Sequence, residues 1–187
     1  MAYLENKLKF FEGFNLVIPG EITMVTREGP AAVKEAIKYL KNADPLDTLA
    51  WSSGLSRSCK DLVNDQGPKG DTGHTGSDDS SPFDRMNRYG KWGKVAAENL
   101  SYGQDDGTDV VMALFVDDGT SSRGHRENLF KDNITVAGGY SGDHKVFTEM
   151  TCINYAGSFE NDDSVNPPSD AESVDTETGD AGTGGGG

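Results

Sequence analysis

ITVAGGYSGDHKVFTEMTCINYA, residues 134 to 156, holds two runs rich in β-branched and aromatic residues. Val136, Tyr140, Val146, Phe147, Thr151, Ile153 and Tyr155 are the side chains that favour a pleated, half-buried surface. The runs 134–140 and 145–156 are separated by Ser-Gly-Asp-His, a hairpin connection, so they are predicted to pair antiparallel. Upstream of them the periodicity changes from two to about 3.6. PAAVKEAIKYLKNA starts with Pro30 at a first helical position and puts Val33, Ala36, Ile37 and Leu40 on one face. Pro45 to Val63 repeats that pattern through Leu46, Leu49, Leu55, Cys59, Leu62 and Val63, interrupted by Gly54, and ends before Gly67. A short helix follows over 82–90 with Phe83 and Met86 inward. GTDVVMALFVDDG gives another, with Thr108 as candidate cap, Val110, Val111, Leu114 and Phe115 as its apolar face and Gly119 as its stop. Helices alternating with a small antiparallel sheet make this an α/β chain.

Between the second and third helical patterns, NDQGPKGDTGHTGSDDSS (64–81) is too rich in Gly, Asp and Ser for a regular element. A loop that long inside a compact domain carries function or mobility. At the other end, residues 157 to 187 contain eight acidic residues, no basic ones and a GTGGGG terminus. That composition offers nothing to offset the entropy of ordering, so this stretch is predicted to be a disordered tail. The chain thus divides into an N-terminal arm (1–24), one domain (25–156) and the tail (157–187).

Composition excludes several classes of function. At 187 residues there is room for one core. A formal net charge of −14 and the lack of any basic stretch interleaved with aromatics argue against a nucleic-acid partner. No run is long and apolar enough for a transmembrane segment. The opening MAYLENKLKFFEGFNLVIPGEI has neither a basic start nor a long apolar stretch, so it does not read as a signal peptide. Cys59 and Cys152 allow at most one disulfide and resemble no disulfide framework, so they are read as isolated buried thiols.

Two of the three histidines lie in glycine-flanked loops beside acids. His74 is in GHTGSDD. His125 is in RGHREN, eight residues after Asp117, across a Ser-Ser-Arg-Gly turn that could fold it back toward that carboxylate. Glu98, in AENL, is placed in a shaped loop by Trp92-Gly93 before it and Gly103 after it. Neutral imidazoles and carboxylates suit zinc or another divalent metal, and the same groups can do acid and base work. The plainer reading is open for each residue: a histidine exposed in a loop, Asp117 and Asp118 ending a helix, Glu98 bonding to backbone. His144, in the hairpin connection, is read as a solvated loop residue.

Three stretches, in order, resemble the cysteine-rich secretory, antigen five and pathogenesis-related (CAP, or SCP-like) superfamily in its bacterial and protist form. They are WSSGLSRSCKDLVNDQGPKGDTGHTGSDDSSPFDRMNRYGKW (51–92), AENLSYG (97–103), similar to the GENI element, and VVMALFVDDGTSSRGHRENLF (110–130), similar to the VDDG and GHRxNI elements. The resemblance runs from about residue 25 to 156. It implies an α-β-α sandwich with a three-stranded antiparallel sheet between helical layers, the third strand coming from Ala97 to Tyr102. By resemblance, His74, Glu98 and His125 fall on the family's cleft positions and Asp117 on the other cleft acid, where glutamate is common. Arg126 and the DDG turn then read as scaffold. Ala97 and Leu62 depart from the family's usual glycine and histidine. A secreted binding module follows from the resemblance, its cleft holding a divalent metal and a small, lipid or protein ligand. A metal-dependent hydrolase with Glu98 as base, and an interaction protein with a vestigial cleft, are the alternatives. No nucleophile motif supports covalent catalysis.

Overall fold

The computed structural model describes residues 1–162 and 164–165. A four-stranded sheet lies between two helical layers, as the α-β-α reading requires. Its order is β4 (Ala50–Trp51), β6 (Val136–His144), β7 (Thr148–Asn161), β5 (Gly90–Tyr102). The three long strands pair antiparallel, and the two-residue β4 adds to β6 in parallel. β5 is therefore an edge strand.

One layer is α3 (Ser53–Gln66) with α4 (Pro82–Asn87); the other is α2 (Pro30–Asn42), α5 (Gly107–Val116) and α6 (Gly124–Leu129). α2 begins as expected, with Pro30 in its first turn and Ala32, Val33, Ala36 and Ile37 buried. α3 starts later than its apolar pattern suggests. Ser52 accepts from the Leu55 amide as N-cap, Gly54 falls in the first turn, and Leu46 and Leu49 stay exposed on the approach. Leu55, Cys59, Leu62 and Val63 then face the sheet at helical spacing. Gly138 of β6 permits this close approach: a Cβ there would meet the Ser52 carbonyl at 2.6 Å and Leu55 Cβ at 2.7 Å.

β5 is longer than the Ala97–Tyr102 segment expected. It starts at Gly90 and pairs with β7 along its length, apart from a register shift between Gly93 and Ala96, so Trp92, Gly93 and Glu98 sit on a strand and not in a loop. Strand alternation sends Leu100 toward α3, into a cluster with Cys59, Leu62, Met150 and Cys152. Ala97 points the other way, to Tyr155 and Leu129. α5 is capped by Asp106, which accepts from Thr108 N and Asp109 N, and not by Thr108; it ends on Asp117 in left-handed conformation, before Gly119. Val111 and Phe83 are exposed, against expectation, whereas Met86 is buried.

Three readings are corrected outright. Cys59 and Cys152 are not isolated thiols: they form a disulfide joining α3 to β7. Both lie on inward faces, and only the register between layers brings them together. His144 is not solvated. It is the last residue of β6 and 2% exposed, with Nε2 donating to the Asp71 carbonyl at 2.9 Å and Nδ1 accepting from the Val146 and Phe147 amides. Ser141 to His144 belong to the ladder, and the turn is 145–147. Nor does the folded region stop at 156. Gly157 to Asn161 continue β7 opposite Gly90 to Gly93, and Arg57 Nη1 donates to the Val165 carbonyl at 2.8 Å. The rest of the predicted tail, from 166 onward, lies outside the described residues.

The N-terminal arm is also ordered. α1 (Ala2–Lys7), one 3₁₀ turn (Leu8–Phe10) and a small antiparallel sheet of β1 (Phe11–Glu12), β2 (Asn15–Leu16) and β3 (Met24–Val25) precede α2. Leu4 is fully buried against Val33, Ala36, Ile37 and Phe115.

Candidate functional site

The chain reaches His74 through a loop that is fastened on both sides. Gln66, the last residue of α3, donates through Nε2 to the carbonyls of Gly73 and Thr75, each at 2.9 Å. The Gly73 amide donates to the Tyr102 hydroxyl at 3.0 Å. Farther along, Asp65 accepts from the Ser77 amide and hydroxyl and pairs with Lys69, and these contacts hold its carboxyl down at about 2. The loop presents the His74 ring half-exposed, with Nδ1 2.8 Å from Glu98 Oε1.

Glu98 itself is buried. Arg85 of α4, equally buried, donates through Nη2 to both carboxylate oxygens at 3.1 and 2.9 Å and through Nη1 to the Ser80 carbonyl. Cys152 Sγ lies 3.6 Å from Glu98 Oε2, so the disulfide backs the carboxylate. α4 owes its position to a Ser81–Asp84 capping box, legible as SPFD, but nothing in the sequence marks the residue after it as the partner of Glu98. Arg85 and Gln66 are the two residues that sequence reasoning missed.

A second pair forms where α5 ends and α6 begins. Asp117 is buried at the C-terminus of α5, and its Oδ1 meets His125 Nδ1 at 2.8 Å while Oδ2 accepts from the His125 amide at 2.9 Å. The Thr120–Arg123 turn folds His125 back as the eight-residue spacing suggested. Arg126, 2% exposed, caps α5 through the Phe115 and Val116 carbonyls and reaches Glu35, contacts that make it scaffold. The pairs are joined at β5. Asn99, next to Glu98 and pointing the other way, donates to the His125 carbonyl at 3.0 Å, and Asn128 donates to Asn99 Oδ1 at 2.9 Å.

The four expected residues form two histidine–carboxylate pairs, His74 with Glu98 and His125 with Asp117. Among the described residues, no group of three or more His, Cys, Asp or Glu is close enough to hold a metal ion. A cavity of about 450 Å³ reaches His125 and Asp117 from the α5 side, with Leu100, Met112 and Val116 in its wall; His74 and Glu98 do not line it. In both pairs the carboxylate can only accept, so Nδ1 is the ring nitrogen that donates, and a neutral ring presents Nε2 as its acceptor. That donor chemistry fits a transition metal, because imidazoles oriented by carboxylates through the other nitrogen are good ligands.

Comparison with known proteins places the chain in a family. The family model described as "Cysteine-rich secretory protein family" matches residues 34–155. The uncharacterized protein YkwD of Bacillus subtilis (strain 168) is 31% identical over 138 residues, which is 70% of this chain and 52% of that protein. The chain spans about half the length of this curated relative. Among solved structures, an outer surface protein from Borrelia burgdorferi superposes with a TM-score of 0.50 at 20% identity, over 67% of this chain and 88% of that one. An extracellular protein containing a SCP domain from Bacillus anthracis str. Ames gives 0.47 at 20% identity, over 66% and 38%. The likeness to the Borrelia structure speaks to the fold alone.

Proposed function

Because the chain belongs to the cysteine-rich secretory protein family, we propose that it is an extracellular binding module whose two histidine–carboxylate pairs hold a divalent transition metal, zinc first, and whose cleft takes a small or lipid ligand or a protein partner. The observation that carries this reading is the shared geometry of the pairs: Nδ1 on a buried carboxylate and Nε2 left as acceptor. His74 and His125 are then the ligands, while Glu98 and Asp117 orient the rings from behind, a refinement of the four-ligand expectation. Two nitrogens favour zinc over calcium or magnesium, and solvent or ligand completes the coordination. An oxidising compartment is supported by the Cys59–Cys152 disulfide.

Hydrolysis with Glu98 as base is the weaker reading. Arg85 and His74 already engage its oxygens, which favours a fixed carboxylate over one that accepts a substrate proton.

Calorimetric titration with zinc tests the proposal on the wild type, His74→Ala and His125→Ala. Affinity is expected to fall by about tenfold or more in each variant, the scale on which ligand changes act. It is also expected to weaken in acid, where protons compete with the metal for the imidazole nitrogens. Unchanged affinity in both variants overturns the metal site.

A further inference from the structure

The cavity that reaches His125 is built from two parts of the chain. One wall is Leu100 of β5 with Met112 and Val116 of α5; the other includes Leu4, Leu16 and Met24. These last three precede residue 34, where the family match begins, so this wall lies outside the matched region. At about 450 Å³, open and largely apolar, the cavity has the size and lining of a site for a small organic molecule.

The polar groups that interrupt those walls are unevenly charged. Five carboxylates, of Glu21, Asp105, Asp109, Asp117 and Asp118, line the cavity against one ammonium, that of Lys7. Three of the acids are committed. Asp117 holds His125, Asp118 accepts from the Arg27 and Glu28 amides at 2.6 and 2.8 Å, and Asp109 accepts from the Tyr3 hydroxyl and from Lys7 Nζ, the latter at 2.6 Å. The exposed carboxylates of Glu21 and Asp105 accept no hydrogen bond among the described residues. They come one from each wall, Glu21 from the N-terminal segment and Asp105 from the turn between β5 and α5.

Lys7 shows what this lining accepts. Its ammonium lies 4.8 Å from the centre of the Tyr3 ring and 2.6 Å from Asp109, so the wall already holds one amine between an aromatic face and a carboxylate. Burial pulls that amine below its ordinary range, whereas the charge of Glu21 pulls it up. Lys7 satisfies Asp109 and leaves Glu21 and Asp105 without a bonded cation. An anionic amphiphile would add charge to this excess of carboxylates, and a neutral one would leave both unpaired.

We infer that the cavity is a site for a small amphiphilic amine, whose apolar body packs between the N-terminal segment and α5 and whose ammonium sits with Glu21 and Asp105. The inference rests on the reading of the cleft as a ligand site, names the class of ligand, and is independent of the metal.

Octylamine, octanol and octanoate share one apolar body and differ in charge, so calorimetric titration of the full chain with each separates charge from burial. Octylamine is expected to bind about fivefold more tightly than octanol, the scale of exposed ion pairs, and octanoate more weakly than both. Asp105→Asn with Glu21→Gln changes two exposed positions, and is expected to remove the preference for amine over alcohol without altering octanol binding. Nα-acetyl-lysinamide, which offers the ammonium in the form of a protein side chain, is expected to bind about tenfold more weakly than octylamine because it buries less hydrocarbon. Proton NMR of the histidine rings locates the ligand: octylamine is expected to shift His125, which lines the cavity, and not His74 or His144, which do not. Equal affinity for octylamine and octanol, or a preference that survives the double variant, overturns the amine assignment and leaves the ligand cleft standing. Binding of none of the three probes, or binding that leaves His125 unmoved, overturns the ligand site and the amine with it. Lysinamide as tight as octylamine assigns the cavity to a protein lysine and overturns the small-amine assignment.

Discussion

The pairing of Arg85 with Glu98 shows how a single buried residue can fix a site from outside it. Both side chains are withdrawn from water, so each depends on the other to offset its desolvation. Arg85→Met is therefore expected to destabilise the fold by about 3 kcal/mol, because the buried carboxylate loses both arginine bonds and keeps only the one from His74. The double variant Arg85→Met/Glu98→Met, which removes both charges, is expected to be more stable than the single one in denaturant titration. A double variant less stable than Arg85→Met would mean that the remaining bond from His74 outweighs the cost of burying the carboxylate without its arginine. At this scale the sequence was legible where partners are close along the chain: Asp117 and His125 are eight residues apart across one turn. His74 and Glu98 stand out by their glycine-flanked surroundings, but their contact depends on strand β5 and a long loop meeting. Arg85 was not legible at all, since charged residues on short helices usually face solvent.

Among the elements, the hairpin, α2 and α5 could be read because periodicity and local punctuation define them. The length of β5 could not: its first half, GKWGKVA, mixes glycine with lysine as a loop would, and it becomes strand only by pairing with β7. The same partnership accounts for the misplaced end of the domain. SFEN reads as the start of a polar tail, yet Phe159 packs beside Leu55 and Met86, and Asn161 Oδ1 accepts from Ser52 Oγ and the Gly54 amide. The sequence alone suggests that truncation after Gly157 is harmless. The structure instead predicts a loss on the order of 2 kcal/mol, from a partly buried phenylalanine and the Asn161 bonds to Ser52 and Gly54 at the start of α3 together. Truncation after Val165 is expected to cost little. Thermal unfolding of the two truncations separates these outcomes, and equal stability would refute the role assigned to 158–161.

Over the whole molecule, the class of fold was legible because three separated motifs keep their order, while the closure of the molecule on itself was not. The N-terminal arm reads as a mere leader to α2, yet it supplies Leu4 to the core and a wall to the cavity. The two cysteines read as unrelated because 93 residues separate them. Their bond has a consequence for a protein held at both ends, as one fixed to a surface and pulled by a partner would be. Both histidine pairs, with everything else between Cys59 and Cys152, lie inside a covalent loop that carries no load, so the force path runs directly from α3 into β7. Stretched in a single-molecule experiment, the oxidised chain is expected to be shorter at full extension than the reduced one by about 320 Å, the reach of the bypassed segment. Tension would strip the N-terminal segment and the C-terminal end of β7 while the loop stayed closed between two fixed sulfurs.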